Sequence, residues 1–233
     1  FDLGLEANDR TVLAAIWPSP GRDLFYSLRS KVAEDGTDIF VKPAEGLGLA
    51  RRHAFPTGFA IAQDRTSDGR YVVFAYSSRP GEASRIWFLQ NDADGTDGQA
   101  VNFSQNSETE TAFGLSPNNH YIAYTSTIGG GLDVYVRPFP TGAGRWQIST
   151  GGGVAPRWKA DGTQLFFAEG NTLMRVDVTT GGRFATTSPA VPVFEHPTLR
   201  GVPAPFARYD VAPDGRRFLT VESQRELDRP VVR

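Results

Sequence analysis

TSDGRYVVFAYS, residues 66–77, is the stretch from which the fold can be read. Asp68-Gly69 supplies the positive backbone φ angles that a tight two-residue hairpin requires. After the turn Tyr71, Val73 and Ala75 point to one side, and Val72, Phe74 and Tyr76 to the other. Both sets are apolar, which predicts a strand covered on both faces. The same pattern appears as SPGRDLFYS from Ser19, SPNNHYIAYTS from Ser116, KADGTQLFFAEG from Lys159 and APDGRRFLTVES from Ala212. Taking Gly21, Gly69, Asn119, Gly162 and Gly215 as equivalent, the spacings are 48, 50, 43 and 53 residues. A repeat of about 40–50 residues with several short strands is the signature of propeller blades.

Other strands surround each hairpin. TVLAAIW, FAIAQDR, TAFGL, APRW and ARYDV precede the turns, and GTDIFVKP, ASRIWFL, GLDVYVRPFP and NTLMRVDV follow. RWQIST and GRFATT supply outer strands. No window of about 11 residues carries a helical period. The expectation is an all-β propeller of about five four-stranded blades, or part of a six-bladed ring, in one domain over residues 1–233. The expected blades are residues 11–57, 58–110, 111–153, 154–203, and 204–233 together with 1–10. The opening FDLGLEAN is expected to help close the ring, because closure removes open sheet edges. A start at Phe1 without Met points to a fragment or a processed chain.

Composition agrees and excludes several functions. The chain has 233 residues, 25 Gly and 16 Pro, with 24 Lys+Arg against 26 Asp+Glu. That balance argues against a nucleic-acid partner or a polybasic membrane contact. No apolar run is long enough to span a bilayer, so no membrane insertion is expected within the chain. The absence of cysteine removes disulfides, thiol nucleophiles and thiolate metal sites.

Residues 116–178 resemble the WD40-like, TolB-type β-propeller repeats of bacteria. They are most similar to the propellers appended to bacterial serine/threonine protein kinases. The resemblance rests on residues 133–140, Trp146, 149–153, 156–158, Asp161-Gly162 and 165–167, then on 209–211, 213–215 and 217–219. It covers nearly the whole chain and implies a non-catalytic sensor or scaffold module outside the cytoplasmic membrane, tethered through a parent chain, with a kinase domain in cis. Asn118-Asn119 departs from the Asp-Gly pattern, the Asp is missing before Gly21, and no kinase motif lies within the chain.

Candidate chemistry is sparse. Serine hydrolysis needs a nucleophile elbow and a later histidine; Gly114-Leu115-Ser116 continues into a blade turn, and nothing marks His120 or His196 as a base. Glycoside hydrolysis needs two carboxylates about 5–9.5 Å apart, and Asp64, Glu108, Glu110 and Asp210 are the acids near inner strands. The loop at residues 91–98 gathers three aspartates but misses the calcium-loop spacing and its closing glutamate. The glycine runs at 129–131 and 151–153 precede no helix that would hold a phosphate. Trp17, Trp87, Trp146 and Trp158 fall at recurrent blade positions, where packing between blades is the simple explanation. Neither a catalytic residue nor a metal site nor a cofactor is expected. The expected ligand contacts are Arg157, Trp158, Arg208 and Tyr209 at the channel mouth, with a peptide, glycan or protein as ligand. The alternatives are a glycan-active enzyme using channel carboxylates and a TolB-like periplasmic scaffold.

Overall fold

The computed structural model describes residues 10–16, 23–30, 36–43, 50–52, 58–90, 98–104, 106–200 and 208–222. Apart from one 3-10 turn at Pro197–Leu199, the regular structure described is all strand, and the fold is a β-propeller. The first blade holds β1 (Arg10–Ile16), β2 (Asp23–Ser30), β3 (Gly36–Pro43) and β4 (Arg51–Arg52). The second holds β5 (Gly58–Arg65), β6 (Tyr71–Ser77), β7 (Arg85–Gln90) and β8 (Ala100–Asn102). The third holds β9 (Glu110–Leu115), β10 (Tyr121–Ser126), β11 (Asp133–Pro138) and β12 (Trp146–Gln147). The fourth holds β13 (Val154–Trp158), β14 (Gln164–Glu169), β15 (Thr172–Thr179), β16 (Ala185–Thr186) and β17 (Val191–Glu195). The described part of the fifth is β18 (Tyr209–Val211) and β19 (Phe218–Thr220). Within each blade the strands run antiparallel from the inner strand outward; in the fourth, β16 and β17 both pair with β15.

The alternation in residues 71–76 does what the sequence predicts. Val73 and Ala75 join the core against the third blade, with Phe113, Ile122 and Tyr124. Val72 and Phe74 join the core against the first, with Phe25, Ile39 and Val41. Further cores lie between blades three and four, around Val134, Phe167 and Phe184, and between four and five, around Phe166 and Tyr209. Stability thus comes from apolar area buried between sheets. The first two sheets also meet directly: β3 pairs with β5 in parallel at Gly36↔Gly58 and Thr37↔Phe59. A side chain at Gly36 would lie 1.9 Å from the Gly58 carbonyl oxygen, so only glycine permits that approach.

The turns repeat one hydrogen bond. The Asp68, Asp161 and Asp214 carboxylates accept from the N–H two residues on, and Asn118 does the same for His120. Asn119 takes the left-handed φ of 62° that glycine has elsewhere. The glycine run at 151–153 leads from β12, an outer strand, to β13, the inner strand of the next blade. Three edge strands, β4, β8 and β17, were not among the expected elements.

Candidate functional site

The inner strands of the first four blades share a distortion near the channel mouth. The pairing of β1, β5, β9 and β13 with the next strand slips by a bulge in every case. On β9 and β13 the bulge contains an alanine in the left-handed region, Ala112 at φ 48° and Ala155 at φ 55°. A bulge re-aims the residues beyond it. Counting back from each turn, Asp64, Gly114, Arg157 and Asp210 hold the same place on consecutive inner strands. They converge near the turn end of the channel: a Cβ on Gly114 would lie 3.9 Å from Asp64 Oδ2, and Arg157 Nε is 4.0 Å from Asp210 Oδ1.

Neighbouring inner strands are tied by hydrogen bonds. The Phe113 N–H donates to Gln63 Oε1 at 3.2 Å and the Leu115 N–H to Asp64 Oδ2 at 2.7 Å. Trp158 Nε1 donates to the Gly114 carbonyl at 2.9 Å, and the Tyr209 hydroxyl to the Ala155 carbonyl at 2.6 Å. The bulge N–H groups are covered from the preceding blade, Ala62 by Ser27 Oγ and Ala155 by Thr125 Oγ1.

Electrostatics separate the members of the ring. Burial pushes the Asp64 carboxyl above the usual aspartate range, against the Leu115 and Arg65 N–H groups and the Arg157 charge, which favour its ionised form. Burial likewise raises the Tyr209 phenol. Asp210 is the open member, with 72% of its side chain exposed against 29% for Arg157.

Of the four expected contacts, Arg157 stands in the ring between Asp64 and Asp210. Trp158 and Tyr209 sit beside it with their polar atoms engaged by backbone carbonyls, and Arg208 is half-exposed just before Tyr209. The sequence reading missed Gln63 and Gly114; numbering each inner strand back from its turn would have found both. Glu110, grouped with the channel acids, is fully buried elsewhere: Arg137 Nη2 lies 3.0 Å from its Oε1, and Ser104 Oγ donates to its Oε2 at 2.6 Å. Glu108 accepts from Thr127 Oγ1 at 3.3 Å. Ser116 is a turn residue, donating to Asn118 and accepting from the Tyr121 N–H. His196 pairs with Glu222 at 3.1 Å. Residues 91–97 and Trp17 lie outside the described residues. Among the described residues no three His, Asp or Glu side chains gather as a metal-binding group. No described helix is long and apolar enough to cross a membrane.

No family model and no curated protein sequence matches the chain. Solved structures do. A TolB structure from Agrobacterium tumefaciens aligns with TM-score 0.56 at 16% identity, over 93% of this chain and 75% of that one. TolB from Acinetobacter baumannii gives 0.51 at 14%, over 80% and 55%. Prolyl oligopeptidase B from Galerina marginata gives 0.54 at 13%, over 82% and 28%. At such identities the likeness is one of fold, the β-propeller of TolB and related proteins. This chain spans about half of the second structure and under a third of the third.

Proposed function

We propose that the chain is a non-catalytic binding propeller of TolB-like type, which holds a peptide or protein partner at the channel mouth. The observation that carries this is the ring itself: one arginine between a half-buried and an open carboxylate, on strands tied together by side-chain-to-backbone hydrogen bonds. Such a mouth is preorganised, so binding costs little ordering. Arg157, with its flat fork of donors, suits a carboxylate or a backbone carbonyl of the partner. Arg208, Trp158 and Tyr209 border it. The finer reading is a sensory module outside the cytoplasmic membrane, joined in cis to a serine/threonine kinase, and it rests on the sequence resemblance alone.

The test is to pan a phage-displayed peptide library on the immobilised protein, with the Arg157→Ala/Arg208→Ala double variant as counter-selection. Enrichment of peptides that bind the parent at least tenfold more tightly supports the mouth as the site. Peptides indifferent to the double change, or none at all, remove it.

A second reading has one observation in its favour. The ring holds one carboxyl with a raised titration point, Asp64, and one open carboxyl, Asp210, and a pair so divided is what acid and base roles require in glycoside hydrolysis. Turnover of any oligosaccharide, lost in both Asp64→Asn and Asp210→Asn, would put this reading first.

A further inference from the structure

Counted from the turn, the second strand of each blade meets the next blade at fixed places. The residues four and six positions after Gly21, Gly69, Asn119 and Gly162 are Phe25 and Ser27, Val73 and Ala75, Ala123 and Thr125, and Phe166 and Ala168. None of these is more than 3% exposed. Val73 and Ala75 pack with Phe113 and Ile122 of the third blade, and Phe166 and Ala168 with Tyr209 of the fifth. The Ser27 and Thr125 hydroxyls reach across instead and accept from the N–H groups of Ala62 and Ala155.

On the fifth blade the same two positions after Gly215 hold Leu219 and Val221, which are 67% and 58% exposed. The opposite face of β19 is packed: the Phe218 ring lies 5.4 Å from that of Phe166 and 5.2 Å from that of Phe194. One exposed leucine is ordinary on any protein. Two apolar residues at the places that form every other described seam are half of a seam. The first blade does not supply the other half. Its Leu24, Tyr26 and Leu28 are already at most 5% exposed, in a cluster with Phe40 and Ala50, while Leu219 stays open.

We propose that the face of β19 carrying Leu219 and Val221 is the docking surface for one further blade of this repeat, borne by the same polypeptide outside residues 1–233. Every described seam joins consecutive repeats of one chain, so this face continues an interface that the molecule has already built. The other seams define the occupant: a turn Gly or Asn, then apolar residues three and five positions later. Val72 and Phe74, Ile122 and Tyr124, and Leu165 and Phe167 are those residues in the blades that close a seam. The mouth is affected as well. Asp210, the open member of its ring, pairs with Leu219 across β18 and β19. A further inner strand would set the next member of the ring beside it.

The chain lacks cysteine, so a single introduced thiol reports on a single place. Leu219→Cys is made in this chain and in the polypeptide encoded by the whole reading frame, and its reaction with dithiobisnitrobenzoate is followed. The thiol should react like a free one in the 233-residue chain, and about tenfold more slowly in the longer polypeptide. Val73→Cys, at the same place in a closed seam, should be slow in both; if it fails to fold, Ala75→Cys replaces it. Equal Leu219→Cys rates in the two proteins overturn the proposal, as does a reading frame that adds no repeat of this pattern. A slow thiol in the shorter chain overturns it too. If that chain is a monomer by light scattering, its own residues cover the face; if it is a dimer, a second copy does. Peptide binding at the mouth plays no part in this readout, so the two outcomes stay separate.

Discussion

Glu110 and Asp64 stand on the inner strands of neighbouring blades, and each answers to an arginine from a later strand. Their surroundings differ completely. Glu110 is in contact with Arg137 inside the seam between blades two and three, both side chains at most 3% exposed. The guanidinium also lies over the Tyr124 ring, 5.1 Å from its centre. Asp64 faces the channel, where its carboxylate takes backbone N–H groups from two strands and feels Arg157 only through space. The first pair is closed off from anything that could bind. The second is part of a wall that a partner can reach. An acid and an arginine therefore mark a site only where the fold leaves one side open.

The sharpest way to break this contrast is to remove one half of the closed pair. Glu110→Gln leaves the Arg137 charge buried with its partner gone, and should cost about 3–5 kcal/mol in urea unfolding. Replacing both, as Glu110→Leu with Arg137→Met, should recover most of that loss, because a well-packed apolar pair replaces a buried ion pair at little cost. A loss under about 1 kcal/mol for the single change would mean that the seam does not depend on the pair.

Asp64 gives a smaller effect of distinctive pH dependence. Its carboxyl titrates above the unfolded value of 3.8. The folded chain therefore holds this proton more tightly than the unfolded one. The resulting stabilisation is present in full below about pH 3.8 and is lost as the pH rises through the folded value. Asp64→Asn cannot titrate, so its stability relative to the parent should improve as the pH rises across that window. Parallel curves of unfolding free energy against pH for the two proteins would show that Asp64 is not set apart by burial.

The same contrast shows how far the sequence could be read. The repeat, the place of each turn and the two-faced strand at 71–76 were legible because each is local. The two-residue hairpin was not: only Gly69 of the Asp68-Gly69 pair takes a positive φ, and the loop closes by the Thr66 N–H donating to the Tyr71 carbonyl. The edge strands β4 and β8 were not, since two or three residues carry no period. Nor did the five residues of β17 show one, with four of them exposed. Asn118 looked like a weakened Asp, yet its Nδ2 donates to the Thr180 carbonyl at 2.8 Å, a bond no aspartate can make. Asn119 similarly reaches the preceding turn, where its Nδ2 donates to Ser67 Oγ at 2.8 Å. At the mouth, Arg157 and Asp210 were picked from residue type and strand position. The hiding of Glu110 depends on how two sheets stack, which no single strand records. Gly114 has no side chain to draw notice, although it holds a place in the ring.

That glycine offers the gentlest test of the open side. No left-handed φ is required of Gly114, and a methyl group there would lie 3.7 Å from the Pro156 carbonyl oxygen and Trp158 Cδ1 and 3.9 Å from Asp64 Oδ2. Those are ordinary contacts, so Gly114→Ala should change stability by no more than about 0.5 kcal/mol. The methyl group nevertheless narrows the mouth between Asp64 and Arg157, where a partner has to enter. Peptides selected on the parent should bind the variant several-fold more weakly, measured by calorimetry at matched folding. Equal affinity would move the partner off this part of the ring, toward Asp210 and Arg208. A large loss of stability would instead show that the inner strands are packed too tightly here to admit a ligand at all.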